Sequence, residues 1–261
     1  MPVFDSILPH APVFALVLAR LSGLFLLAPL LSSVMLPRRV AALLILVMAL
    51  AVYPTIDHAR VLHLRLDVLD LLPVIAAELL VGAGIGLLAL LPLACVQLGG
   101  LLMGQQMGLG IAGVLNPAVD IESDNVGQIL FYLALAAFIG MGGIEAMFAC
   151  LMHTFAGMPP GGMLLTQAPL EPVLVLLASG FELALRIALP VLAIIMLESV
   201  AVGFLTRTVP SLNIMSFGFP VRILIGLLVL IAGLPLISEI VQTDLDGMFE
   251  SMRDWTVTLG L

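Results

Sequence analysis

LDLLPVIAAELLVGAGIGLLALLPLACVQLGGLL, residues 69–102, decides how this chain folds. In 34 positions it holds two carboxylates, Asp70 and Glu78, and no basic residue. As an α-helix it is about 51 Å long, against about 30 Å for the hydrocarbon core of a bilayer. One straight span cannot use that length, so the segment tilts, bends at Pro73 or Pro92, or projects from the bilayer inside a larger assembly. A second run of the same kind covers about 172–206, with Pro190 near its middle, and shorter ones cover about 11–31, 40–56, 127–155 and 219–241. The pattern predicts an all-α integral membrane protein of about six long apolar helical runs, some broken at Pro or Gly, packed in a helical hetero-oligomeric assembly. No internal repeat or low-complexity linker divides it, so 1–261 reads as a single membrane domain. Its acidic tail, 242–261, carries Phe249 and Trp255 and suits a short interfacial helix.

Composition agrees: 62% of the residues are hydrophobic and 10% charged, too few to clothe a soluble globule of 261 residues. Nine arginines, no lysine and seventeen acidic residues give a net charge of −8, the wrong sign for nucleic acid. Cys95 and Cys150 stand alone in apolar runs, and the four histidines show no metal-ligand spacing. With no nucleophile elbow and no phosphate loop either, the sequence predicts no enzyme, cofactor or metal. The first run lacks the basic start of a cleaved signal and reads as a retained helix. Arg38, Arg39, Arg207 and Arg222 fall on one side of the membrane and Arg60, Arg65 and Arg253 on the other, which by a margin of one makes the first side cytoplasmic.

Arg20, Glu78, Glu145, Glu182, Arg186 and Glu198 lie inside the apolar runs. Each would cost about 2.5–3.5 kcal/mol facing lipid at a helix centre, so they are expected to make buried polar contacts or to relay protons. Glu182 and Arg186, four residues apart, share a helix face and favour a local pair. Small residues recur every fourth position at Gly82 and Gly86 and at Gly100, Gly104, Gly108 and Ala112, a spacing that lets helix backbones approach closely. The second row runs into Met103-Gly-Gln-Gln-Met-Gly-Leu-Gly-Ile-Ala-Gly-Val-Leu-Asn-Pro117, which is uncharged, too rich in glycine for a firm helix and too apolar for an exposed loop. Irregular backbone at membrane depth is tolerated where it is buried in protein or lines a cavity, so 103–117 reads as a pore constriction or gate.

Two segments in order resemble the FliR family of flagellar and type III secretion export-gate proteins. The first is 104–117, followed by Val126-Gly-Gln-Ile-Leu130 and His153-Thr-Phe-Ala-Gly-Met-Pro-Pro-Gly161. The second is Ala188-Leu-Pro190 followed by Val202-Gly-Phe-Leu-Thr-Arg-Thr-Val-Pro-Ser-Leu-Asn-Ile-Met-Ser-Phe-Gly-Phe-Pro-Val-Arg222. The resemblance implies a subunit of the protein-conducting core in the bacterial inner membrane, within a flagellar basal body or injectisome. Its implied partners are FliP-like, FliQ-like and FlhB-like subunits and unfolded export substrates. It implies a plug at about 103–117, in which Gly104, Gly108, Gly110 and Gly113 give backbone freedom. Met103, Met107, Ile111 and Val114 would close the channel by apolar packing, while Gln105, Gln106 and Asn116, before Pro117, would hold the resting conformation. It also makes 207–219 similar to the turn of a FliQ-type helical hairpin, with Arg207, Pro210, Asn213, Gly218 and Pro220 at or beside the turn. The competing reading is a proton-coupled secondary transporter working through Glu78, Glu145, Glu182 and Glu198. A purely structural scaffold is the third.

Overall fold

The computed structural model describes residues 10–32, 37–56, 68–109, 125–162, 170–208 and 214–259. These segments carry α1 (Ala11–Leu27), α2 (Arg38–Val52), α3 (Val68–Met107), α4 (Asn125–Gly140), α5 (Gly143–Gly157), α6 (Leu170–Thr208) and α7 (Ile214–Leu259), and no strand occurs among the described residues. In apolar surroundings an unpaired backbone N–H costs several kcal/mol, and a helix satisfies its own. Among the described residues four helices are long and apolar enough to cross a membrane, or five if α4 and α5 count as one broken span. The chain is an all-α integral membrane protein with slightly fewer crossing-length helices than the six runs suggested.

The differences from the sequence reading lie at the helix ends. The first run stops at Leu27 because Pro29 follows, and the resulting 17-residue helix is short for a span. Neither Pro73 nor Pro92 breaks α3, which extends to Met107 and takes in the first five residues of the expected plug. The fourth run does break, at Met141 and Gly142, where Gly142 takes φ +80°, a conformation that suits a residue without Cβ. The expected tail is instead the end of α7, a single helix of 46 residues. Its acidic composition hides an apolar stripe: Val241, Leu245, Met248 and Met252, spaced by four, three and four, are all buried.

The chain divides into two compact units. The first comprises Met1–Leu90, Ile139–Leu174 and Gly247–Leu261, the second Leu91–Phe138 and Val175–Asp246. In the first unit, α1 crosses the early part of α3 backbone to backbone. A Cβ on Gly82 would collide with the carbonyl of Arg20, one on Gly23 with the carbonyl of Leu79, and one on Gly86 would lie 2.8 Å from the amide nitrogen of Ala28. Tyr53, in the 3-10 turn Tyr53–Thr55 after α2, ties back to α1 through a 2.7 Å hydrogen bond between its hydroxyl and His10 Nδ1 and an edge contact with Phe14.

In the second unit the late part of α3 packs on α4 and α6 by the same device. Gly100 meets the backbone of Gly127, and a Cβ on Gly99 would lie 2.8 Å from the carbonyl oxygen of Ala184. Gly82, Gly86 and Gly100 of the small-residue rows thus stand at helix crossings. Gly82→Ala should lower the thermal midpoint of the detergent-purified protein by roughly 5 °C, although alanine is the better helix former. Gly233→Ala, where a Cβ meets nothing within 4 Å, should leave it unchanged or raised.

Candidate functional site

The expected plug begins on a rigid stem. Met103, Gly104 and Met107 at the end of α3 are buried, whereas Gln105 and Gln106 are exposed. Met107 fills a notch that Gly226 of α7 leaves open: a Cβ there would lie 2.6 Å from Met107 Cγ and 2.9 Å from its sulfur. The helix then ends at Gly108, which takes φ +84°. The Gly108 amide donates to the carbonyl of Gln105 at 3.0 Å and the Leu109 amide to that of Gly104 at 3.1 Å. This is the paired closure of a Schellman cap, with glycine at its left-handed position.

Met103 and Met107, expected to close the channel by apolar packing, are packed inside the second unit. The hydrogen bonds that close the helix end use the backbone carbonyls of Gly104 and Gln105. Gly110, Ile111, Gly113, Val114, Asn116 and Pro117 lie outside the described residues, as do Pro210 and Asn213 of the expected hairpin turn. Arg207 is exposed at the end of α6, while Gly218 and Pro220 stand in the opening turns of α7, beyond the turn itself.

The intramembrane charges take three different places. Arg20 in α1 and Glu78 in α3 are both fully buried in the first unit, where Arg20 Nε donates to Glu78 Oε2 at 2.6 Å. The guanidinium also donates to Thr154 Oγ1 at 3.3 Å and to the Met158 carbonyl at 3.2 Å, and its carbon lies 4.4 Å from the centre of the Phe155 ring. The second oxygen of Glu78 accepts the Gly161 amide at 2.8 Å. One buried pair therefore holds α1, α3, the end of α5 and the turn 158–161 together. The glycine crossing makes this possible, because Gly82 follows Glu78 by one turn and Gly23 follows Arg20 by three residues. Sequence reading placed Arg20 among the intramembrane charges and Glu78 among the buried contacts, but the signal that joins them is the pair of glycines one turn further on.

Glu198 is buried in the second unit and accepts from Arg222 Nε at 3.0 Å, while Arg222 Nη2 donates to Ser199 Oγ at 2.8 Å. Glu198 Oε1 has no hydrogen-bond partner among the described residues. The remaining three charges are not buried in this chain. Glu145 is exposed in the first turn of α5, where the helix dipole favours a carboxylate. Glu182 and Arg186 pair at 2.7 Å on the outside of α6, their side chains 69% and 59% exposed. Glu78 and Glu198 are thus buried within this chain and Glu145, Glu182 and Arg186 are not, while Glu182 and Arg186 make the local pair that their spacing favours.

The sequence model of the bacterial export proteins, family 1, matches residues 11–248. The chain belongs to that family. Among its relatives is the flagellar biosynthetic protein FliR of Bacillus subtilis (strain 168), 27% identical over 261 residues, 98% of this chain and 99% of the relative. The FliR of Escherichia coli (strain K12) is 28% identical over 240 residues, 91% of this chain and 90% of the relative. The secretion system apparatus protein SsaT of Salmonella typhimurium is 26% identical over 185 residues, 70% of this chain and 71% of the relative. The matched region of this export protein contains the capped stem and both buried ion pairs.

Those pairs give the site a stability test. Arg20→Lys keeps the charge but cannot reach Glu78, Thr154 and Met158 together, and should destabilise the purified protein by about 3–5 kcal/mol in a denaturation titration. The double variant Arg20→Met/Glu78→Leu should lose less than either single variant, because two apolar side chains leave no buried charge alone.

Proposed function

We propose that this chain is a subunit of a flagellar or type III secretion export gate in the bacterial inner membrane, where it helps form and plug the channel for unfolded substrates. The observation that carries the reading is the end of α3. A stem anchored by Met103 and Met107 is cut off by a glycine cap at Gly108, immediately before an uncharged stretch with glycines at 110 and 113 and a proline at 117. A rigid base and an abrupt hinge are what a plug requires, since its resting position must be fixed while its tip yields to an entering chain. Membership of the bacterial export family supports the same function, and so do relatives named for flagellar biosynthesis and for a secretion system apparatus.

The partners are FliP-like, FliQ-like and FlhB-like subunits, and helices longer than a bilayer fit an assembly in which protein covers much of the apolar surface. The chain acts as a conduit and not as an enzyme. The transporter alternative is weakened because Glu78 and Glu198 are engaged by Arg20 and Arg222.

Gly108→Val places a branched side chain at positive φ and should reduce substrate export by about tenfold or more while the assembled complex still purifies in normal yield. Export at the normal rate would contradict the plug assignment. Gly226→Ala should push Met107 out of its notch and give an ion leak through the gate, read as membrane depolarisation in cells. Adding Met107→Ala should reduce that leak, because the smaller side chain fits beside the new methyl group.

A further inference from the structure

Two contacts fall one turn apart on one face of α7. Arg222 reaches α6, where its Nε donates to Glu198 Oε2 at 3.0 Å and its Nη2 to Ser199 Oγ at 2.8 Å. Gly226, four residues later, receives Met107 of α3: the three atoms nearest a Cβ built there are Met107 Cγ, Sδ and Cε, at 2.6, 2.9 and 3.1 Å. Residues four apart share a helix face, so the side of α7 that grips α6 is also the side that seats the end of α3.

Little else in the chain holds this part of α7. Of residues 219–236 Gly226 alone is buried, and Leu224, Leu227, Leu228 and Ile231 are exposed. An α-helix turns about 100° per residue, so a rotation by one position would bring Ile225 or Leu227 against Met107, and neither leaves the room of a missing Cβ. The seat of Met107 therefore depends on how α7 is rotated about its axis. The directional contact that sets this rotation is Arg222 on Glu198 and Ser199, and Ser199 Oγ is itself tied back to the Ile195 carbonyl at 2.9 Å.

The two buried ion pairs described above differ in how firmly they are closed. Glu78 uses both oxygens, one on Arg20 and one on the Gly161 amide, and the side chains of Arg20 and Glu78 are 0% and 1% exposed. Glu198 uses one: its Oε1 has no partner among the described residues, and the Arg222 side chain is 28% exposed. A pair half-satisfied on the acid and partly open on the base is the weaker of the two. We infer that Glu198, Ser199 and Arg222 form a releasable latch that sets the rotation of α7 and thereby holds Met107 in the Gly226 notch, so that parting the pair frees the end of α3. This rests on the gate reading and adds to it the control of the gate's base. Glu198 and Arg222 are positioning residues, acting on Met107 through α7.

The test reads the exposure of position 107 in the full-length chain in native membranes. Met107→Cys is combined with Cys95→Ala and Cys150→Ala and treated with a small membrane-permeant maleimide. Met107 is fully buried, so this parent should label slowly. Adding Arg222→Gln should raise the rate roughly tenfold or more. Glu198→Leu with Arg222→Met leaves no buried charge alone and should regain the parent's thermal midpoint. It should still label as fast as Arg222→Gln, because apolar side chains supply no directional contact. Glu78→Gln, which breaks the other pair in the first unit, should lower the midpoint and leave labelling slow. Labelling that stays slow in both Arg222 variants, or that simply follows the midpoint across the set, would overturn the inference. Fast labelling with export and ion leak both normal would keep the latch and remove the gate. Slow labelling in a chain whose Gly226→Ala form leaks would remove the latch and leave the gate.

Discussion

In apolar surroundings every polar group must find its partner inside protein, and this requirement organises the chain from backbone to charge. It leaves helix as the regular structure of the described residues, and it makes the helix ends the places where structure has to be specified. At Gly108 the last turn of α3 is closed by two backbone hydrogen bonds that depend on a positive φ. At Arg20 the same requirement acts on a side chain: a fully buried guanidinium is surrounded by a carboxylate, a hydroxyl, a carbonyl and an aromatic face drawn from three segments of the first unit. Removing the Glu78 carboxylate leaves a desolvated charge, so the pair fixes the positions of α1, α3 and the turn 158–161.

Glycine supplies the geometry that makes these pairings reachable. At Gly23, Gly82 and Gly86 it lets two helix backbones touch, which brings Arg20 and Glu78 within hydrogen-bond distance; at Gly99 and Gly100 it does so for α3 with α6 and α4. At Gly226 it opens a notch for a single methionine, Met107, in the last turn of α3. Close approach, a left-handed cap and a notch are three uses of the same missing Cβ.

Much of this was legible beforehand. The excess length of 69–102 and 172–206, the small-residue rows and the Glu182–Arg186 pair all follow from spacing, because helix periodicity is fixed by the backbone. Helix ends were less legible. Pro73 and Pro92 failed to interrupt α3: a proline removes one hydrogen bond of the helix, and at Pro92 buried Leu91 and Leu93 on either side help maintain the rest. The apolar stripe at Val241, Leu245, Met248 and Met252 was masked by the acidic residues between its members. The contact made by Met107 was not legible, because the notch that receives it lies 119 positions away at Gly226. That Glu145 is exposed likewise depends on the break at Gly142, which turns an interior position of the run into the first turn of a new helix.

We propose that the working end of the molecule lies just past the capped end of α3, where Gln105 and Gln106 are exposed. Proximity to a translocating chain is therefore the central claim. A photocrosslinker at Gln106, in membranes where an export substrate has been stalled by a folded carboxyl-terminal domain, measures that proximity directly. The account predicts an adduct between this chain and the stalled substrate that disappears when the substrate is released. A reproducible absence of that adduct, with the complex assembled and the substrate demonstrably arrested, would contradict it.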